Sequence, residues 1–319
     1  MADTRHTILI IGLGEIAATH LRVIEQIPGA EVAAGVDIQP IDGLTFRGRP
    51  LPLYRSPREA VGRHQIDTIV VATPTPAHAA VCEQVAELLP TARILVEKPT
   101  AGNLADAHHI LRDIGSRQPV DVAYHMAFAP EVSWGIQAAH AHASALGPPV
   151  STESSFADPY TRSFQSAAAR LGNSWIDSGI NALSVLRRFI TPARRTFLRR
   201  IGEPSASVFE AHISCHSNGR DLDALILTTW QVTDPAKTTR IRYTSGAELI
   251  MDHTAVAAYL VAHGHITDVF GADASVPRRE RHYRALYQSW LVEDQPIATP
   301  HDHLLLHDLL LTRSDGLPV

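Results

Sequence analysis

The chain has 319 residues, 45% of them hydrophobic and 19% charged, with a formal net charge of −5. That is room for about two domains with full cores, and the composition excludes a disordered chain, while the negative charge leaves no electrostatic footprint for nucleic acid. No stretch approaches the ~18 apolar residues of a membrane span, the ILII run behind MADTRH is too short for a signal-peptide core, and the two cysteines, Cys82 and Cys215, suit a reducing compartment. The expectation is a cytoplasmic protein with neither membrane nor nucleic acid as partner.

The first 125 residues alternate strands and helices. Thr7–Ile11 (TILII) is a short, wholly apolar, β-branched run, as in a strand buried on both faces of a parallel sheet. Glu15–Gln26 reads as a helix, Glu31–Asp37 as the next strand, and Gly43–Pro57, rich in Gly, Pro and Arg, as a surface loop. Asp67–Thr73, Arg93–Val96 and Val120–Tyr124 repeat the strand pattern. Helices are expected between them over Pro76–Leu89 and Asn103–Arg117, the second opening on an Asn suited to cap it. Strands alternating with helices imply a doubly wound parallel sheet with right-handed crossovers.

The first strand runs into Gly12-Leu13-Gly14-Glu15-Ile16-Ala17, a G-x-G-x-x-A fingerprint. Gly12 permits a tight turn and Gly14 lets a pyrophosphate approach the backbone. Ala17 packs the helix close to the strand, and the amides around Glu15 and Ile16 face the anion. Asp37, ending the second strand, can accept hydrogen bonds from ribose hydroxyls and repel a 2′-phosphate, which favours NAD over NADP. A plain turn residue ahead of Gln39-Pro40 is its alternative reading, and Arg47 or Arg49, if near the adenine ribose, would instead receive a 2′-phosphate and admit NADP. Later strand ends should line the same crevice: Thr73 and Pro74 after the third strand, with His78 in the following helix, and Glu97-Lys98-Pro99 after RILV. Lys98 is placed to hydrogen-bond a substrate hydroxyl and offset a developing alkoxide.

GLGEIAATH (Gly12 to His20), TPTPAH (Thr73 to His78) and EKP (Glu97 to Pro99), in this order, resemble the glucose-fructose oxidoreductase/inositol dehydrogenase (Gfo/Idh/MocA) family. The resemblance implies an NAD(P)-dependent oxidoreductase acting on a sugar or cyclitol hydroxyl. It extends to Trp175-Ile176-Asp177-Ser178-Gly179-Ile180-Asn181, where the family usually reads Asp-x-Gly-x-His. The family's lysine would be Lys98, its second aspartate Asp177, and its histidine position holds Asn181, an amide that cannot accept a proton. DSGINALSVL (Asp177 to Leu186) and RRERHYRALY (Arg278 to Tyr287) resemble the branch that oxidises aldoses at C1, the L-arabinose/D-galactose 1-dehydrogenases. A hemiacetal hydroxyl is more acidic than an ordinary alcohol, so Asp177, with Lys98 orienting, could serve as base; Lys98 itself is the alternative.

After Tyr124 the pattern changes. His125 follows the last strand, where family members place a substrate-facing residue, and Glu131–Leu146 reads as a helix ending at Gly147-Pro148-Pro149. Val150–Phe156 opens a strand region, Gly179–Ile190 reads as a helix, and from Val208 onward alternating runs separated by Ser217-Asn218-Gly219 and Ser245-Gly246 read as an open, mainly antiparallel sheet. The expected organisation is a Rossmann domain over 1–125, an α+β substrate and oligomerisation domain over 126–299, and a helix over 300–314 returning to the first. The resemblance implies that another subunit covers the sheet, giving a homodimer or homotetramer. Trp175 is a candidate for stacking on a pyranose or for burial, and Asn181 for holding a ring hydroxyl; Tyr160 and Arg162 are further candidates. His303 and His307 stand at i, i+4, but no HExxH or Cys-His cluster appears and no metal is expected. The readings left open are an aldose 1-dehydrogenase, a cyclitol or keto-sugar oxidoreductase, and a non-catalytic NAD-bound sensor.

Overall fold

The computed structural model describes residues 6–41, 43–203 and 207–312. The chain divides into two units. One contains the residues through Tyr124 together with Tyr283–His307; the other contains His125–His282 and the residues from Asp308. The return to the first unit therefore begins at Tyr283 rather than at the expected 300, and positions 313–314 of the expected last helix lie outside the described residues.

The first unit holds strands β1 (His6–Ile11), β2 (Ala30–Val36), β3 (Thr45–Phe46), β4 (Arg49–Pro50), β5 (Leu53–Tyr54), β6 (Thr68–Val71), β7 (Arg93–Val96) and β8 (Val120–Val122). Six of them form a sheet in the order β5-β2-β1-β6-β7-β8, with every pair parallel. Ile8, Leu9 and Ile10 have no exposed surface, and burial of each is worth about 1.5–3 kcal/mol, which is why the run carries no polar residue. The chain leaves β1 to one side for β2 and comes back to the other for β6. The ends of β1 and β6 thus frame the topological switch point where α/β sheets bind ligands. Helix α1 (Glu15–Ile24) follows β1 directly.

Two expectations are corrected here. Gly43–Pro57 is not a plain loop: β3 and β4 form a hairpin, and β5 joins the sheet edge beside β2 through Gly35 and Val36. Two-residue strands are too short to show a period. The expected helix over Asn103–Arg117 is an α-helical turn, Leu104–His108, continued by a π-helical one, His109–Ile114. Its Asn103 cap is present, Oδ1 accepting the Asp106 N–H at 2.9 Å.

The second unit holds β9 (Pro149–Ala157), β10 (Thr191–Ile201), β11 (Val208–Ser217), β12 (Arg220–Thr229), β13 (Ala236–Tyr243), β14 (Glu248–Asp252), β15 (Ala257–Ala262) and β16 (His265–Gly271). They form one sheet in the order β10-β11-β12-β9-β13-β14-β15-β16. Only β9 and β12 pair in parallel; the other pairs are antiparallel. Two helices lie against the sheet, Pro130–Ala141 on β14 and β15 and Ile180–Arg187 on β9 and β10. The other face is open. One register row crosses all eight strands: Phe197, His212, Leu225, Glu153, Arg240, Ile250, Tyr259 and Val269. Every member keeps some exposure, up to 59% at Val269. β10 was not expected, because its four arginines leave no apolar alternation to read.

Candidate active site

In the first unit the fingerprint loop is built around two glycines with different jobs. Gly12 has φ +87°, and a Cβ there would stand 2.6 Å from the Thr73 nitrogen and 2.7 Å from the Ala72 carbonyl group. Only glycine lets the ends of β1 and β6 meet this closely. Gly14 precedes α1 in extended backbone, and a Cβ there would meet nothing within 4 Å. The N-terminus of α1 has no side-chain cap, so its amides are available to an anion beside an open space. Glu15 is exposed and Ile16 half-buried on that first turn.

Asp37, just past β2, closes the other side. Its Oδ2 accepts the Leu13 N–H and its Oδ1 the Gln39 N–H, both at 2.8 Å. Each carboxylate oxygen retains acceptor capacity for a ribose hydroxyl. Thr73 Oγ1 is buried without a hydrogen-bond partner, an orphan that a ligand at this loop would satisfy; Pro74 beside it is exposed. The open cradle, uncapped helix, terminal carboxylate and orphan hydroxyl fit a dinucleotide. Arg47 is occupied elsewhere. Its guanidinium donates to the Glu25 and Ile27 carbonyls at 3.2 and 3.4 Å, and its amide to Glu25 Oε1 at 2.7 Å, where it caps the end of α1.

His78 does not present a free ring. It is 1% exposed, with Nδ1 at 3.0 Å from the Thr100 carbonyl and Nε2 at 2.8 Å from that of Thr73. Burial holds its pKa below the usual histidine range, and the single N–H of the neutral ring donates to one of these two carbonyls.

Glu97 is buried among donors. Its Oε1 accepts from His20 Nε2 at 3.0 Å and from the Tyr283 hydroxyl at 2.5 Å, and its Oε2 from the Lys98 amide at 3.1 Å. The Tyr287 hydroxyl lies 2.7 Å from His20 Nδ1. Burial alone would raise the Glu97 carboxyl; the His20 and Tyr283 hydrogen bonds and the Lys98 charge more than offset it and hold the group below the usual carboxylate range. Glu97 is thus the anchor of the EKP turn, and half-buried Lys98 is the member of that turn facing outward.

His303 and His307 serve the same unit. His303 Nε2 lies 3.4 Å from Asp121 Oδ1, which also accepts the Ile297 N–H at 3.1 Å, and Trp290 Nε1 donates to Asp121 Oδ2 at 2.8 Å. The Thr100 N–H donates to His307 Nε2 at 3.1 Å. Among the described residues no group of three His, Cys, Asp or Glu is arranged to hold a metal, and no helix is long and apolar enough to cross a membrane.

In the second unit Asp177 lies in a π-helical turn, Trp175–Gly179, that runs directly into the helix carrying Asn181. Asp177 is 6% and Asn181 5% exposed. Asn181 Nδ2 donates to the Asp177 carbonyl at 3.4 Å, while its Oδ1 is buried without a hydrogen-bond partner. Trp175 is buried. Its ring has no exposed surface, it packs so closely on Gly179 that a Cβ there would come within 2.8 Å, and Nε1 donates to the Leu310 carbonyl at 2.9 Å; no face is left for a sugar. Half-buried His125 stacks on His282 with centroids 5.7 Å apart.

Two buried residues of this unit carry chemistry that no motif announced. Lys237 Nζ donates to Asp158 Oδ1 at 2.7 Å, and Asp158 Oδ2 accepts from Ser178 Oγ at 2.8 Å. Burial lowers the Lys237 pKa and Asp158 restores part of it. Tyr160 is pushed up to about 12 by burial and then by Asp177 and Asp158, so its hydroxyl is a donor rather than a base. The Arg162 side chain lies outside the described residues.

The model of the GFO_IDH_MocA oxidoreductase family, NAD-binding Rossmann fold, matches residues 6–122. The rhizopine catabolism protein MocA of Rhizobium meliloti is 27% identical over 132 residues, a match spanning 40% of this chain and 40% of that protein. Solved structures share the fold over nearly the whole chain. An oxidoreductase from Agrobacterium radiobacter in complex with NAD+, L-tartaric acid and magnesium superposes with a TM-score of 0.76 at 18% identity, covering 96% of this chain and 94% of that one. An inositol dehydrogenase homologue from Azotobacter vinelandii, complexed with NADH and myo-inositol, gives 0.73 at 18% identity, covering 95% and 93%. A UDP-N-acetylglucosamine 3-dehydrogenase from Acidithiobacillus ferrooxidans gives 0.72 at 14% identity, covering 96% and 97%. Residues 6–122 therefore match the NAD-binding Rossmann domain of the Gfo/Idh/MocA oxidoreductase family.

Proposed function

We propose that the protein is an NAD-dependent dehydrogenase of a sugar hydroxyl, and that the hydroxyl is C1 of an aldose of the galactose or arabinose type. The observation that carries the substrate class is Asn181. Its carbonyl oxygen is buried with no protein donor, directly after the turn that holds Asp177. An orphan acceptor in that position costs about 1–3 kcal/mol unless a ligand donor meets it, and a polyol hydroxyl is such a donor. Because an amide cannot take a proton, the acceptor role passes to Asp177, which suffices for a hemiacetal hydroxyl. Lys98 is assigned the hydroxyl-orienting cation, and His125 a substrate contact.

Gly12, Gly14, the amides around Glu15 and Ile16, Asp37, Thr73, Pro74 and the Glu97-Lys98 turn would hold the dinucleotide, whose nicotinamide supplies the hydride acceptor. The reaction would balance as loss of the C1 hydrogen as hydride, for which the bound dinucleotide would supply the acceptor, transfer of the hydroxyl proton to Asp177, and conversion of the C1–O bond to the carbonyl of a lactone. A second reading, oxidation of a cyclitol with Asn181 tuning the site, is favoured by the fold shared with the homologue complexed with myo-inositol. The open sheet face suits a second copy of the chain, since Glu153 and Arg240 stand paired at the centre of its row with apolar residues on both sides. A homodimer or homotetramer is proposed on that ground.

The test is steady-state reduction of NAD and, separately, NADP across aldoses and inositols, with Lys98→Met alongside. Rapid turnover of galactose or arabinose to lactone, lost in the variant, is the expected result. Turnover of inositols alone would replace the first reading by the second. Tight NAD binding with no turnover of any sugar or cyclitol would overturn both.

A further inference from the structure

The ion pair between Lys237 and Asp158 has no part in any motif. Lys237 is at an inward-facing position of β13, in phase with buried Thr239, Ile241 and Tyr243. Its side chain is 9% exposed and that of Asp158 12%. Taking two charges out of water is costly enough that apolar replacements of such pairs are often as stable or more so. Packing alone therefore does not account for it.

Its geometry leads to Asp177. One oxygen of Asp158 takes the Lys237 ammonium and the other takes the Ser178 hydroxyl, at 2.7 and 2.8 Å. Ser178 is the residue after Asp177 within the same π-helical turn. The fields overlap as well: Asp158 and Asp177 both act on Lys237, with Arg278 opposing them. Asp177, Asp158, Arg279 and Arg170 all act on Tyr160, and His282, kept neutral by burial, lies in the field of Lys237.

We propose that Asp158 and Lys237 are positioning residues for Asp177: Asp158 pins the turn that carries it through Ser178, and Lys237 supplies the buried positive charge that balances the second carboxylate. The proposal rests on the assignment of Asp177 as proton acceptor. It predicts that neither residue touches the reacting atoms, and that loss of the pair damages chemistry more than binding.

The test uses the full-length protein and the double variant Asp158→Ala/Lys237→Met, since an amide at 158 could still accept the Ser178 hydroxyl. A single Lys237→Met would leave a buried, unpaired carboxylate and endanger folding, whereas the double variant removes both charges together. Hydrogen–deuterium exchange of peptides covering 174–182 is read first. At least tenfold faster exchange is expected there, with NADH affinity unchanged. With a turned-over sugar, kcat is expected to fall at least thirtyfold against less than threefold in KM. A primary deuterium isotope effect at the oxidised carbon should grow as the chemical step becomes limiting. Unchanged exchange over 174–182 overturns the proposal whatever the activity, and faster exchange with an unchanged kcat does so too. If the wild type turns over no sugar or cyclitol while exchange is faster in the variant, the pinning stands and the assignment of Asp177 as base is what falls.

Discussion

The two fingerprint glycines make opposite predictions, and the contrast tests the cofactor cradle without a substrate. Gly12→Ala puts a Cβ 2.6 Å from the Thr73 nitrogen and 2.7 Å from the Ala72 carbonyl group, at φ +87°. Left-handed backbone costs an L-residue about 1–2 kcal/mol, and forcing a methyl against rigid strand-end backbone about 1–3 kcal/mol more. Together this is about 2–5 kcal/mol, a large part of the roughly 5–15 kcal/mol that holds a domain folded. At roughly 2–4 °C per kcal/mol for a chain of this kind, melting should drop by several degrees or more. Gly14→Ala meets nothing within 4 Å and needs no positive φ, so melting should change little. Its methyl instead fills the space beside the first turn of α1 and pushes an anion off the amides. Losing one charge-assisted hydrogen bond costs about 1.5–3 kcal/mol, or roughly 10–150-fold in the dissociation constant. Thermal melts and NADH fluorescence titrations on both variants are the assay. A Gly14→Ala protein that binds NADH as tightly as wild type would refute the cradle.

Asp37→Ser should raise the affinity for NADP relative to NAD at least tenfold by removing the charge that repels a 2′-phosphate; an unchanged ratio in fluorescence titrations would move the adenine ribose away from Asp37. The same variant should bind NAD less well, because the Leu13 and Gln39 amides lose their shared carboxylate. Glu97→Gln should cost about 1.5–3 kcal/mol at pH 7 through weaker bonds to His20 and Tyr283. Because the folded Glu97 pKa lies below its unfolded value, its contribution is complete above the unfolded value of about 4.3 and disappears as pH falls through the folded one. Wild type should lose stability over that acidic window and the variant should lose less; equal slopes in urea melts from pH 6 downward would contradict the assignment.

Legibility in the sequence followed the range of the interaction. β1, β7 and the fingerprint turn could be read because their signal is local: a buried parallel strand must be apolar throughout, and a pyrophosphate turn must be glycine. The Asn103 cap was equally readable, since its partner is three residues away. Element ends and short pieces were less so. β5 is two residues long, and the π-helical turn of Trp175–Gly179 has the composition of an ordinary helix start. His78 and Trp175 show the opposite case, residue types that often contact ligands but whose ring N–H groups here meet backbone carbonyls. Nothing local distinguishes those two uses.

Lys237 marks where pattern reading stops. In AKTTRIRY the alternation puts the lysine in the buried phase with Ile241 and Tyr243, a charge on the buried face of its strand that the sequence reading did not single out. A buried ammonium needs a partner, yet nothing in the strand names it. Asp158 comes from the end of β9, one strand over and far back in the chain, and reaches Ser178 with its second oxygen. Motifs identify groups that meet a ligand, because the ligand imposes residue type and spacing together. Groups that set the charge around them are bound by no such spacing; any two segments that the sheet order makes neighbours can supply the pair. A lysine in the buried phase of its strand is thus a sequence-level flag that a carboxylate lies opposite, and only the topology says which one.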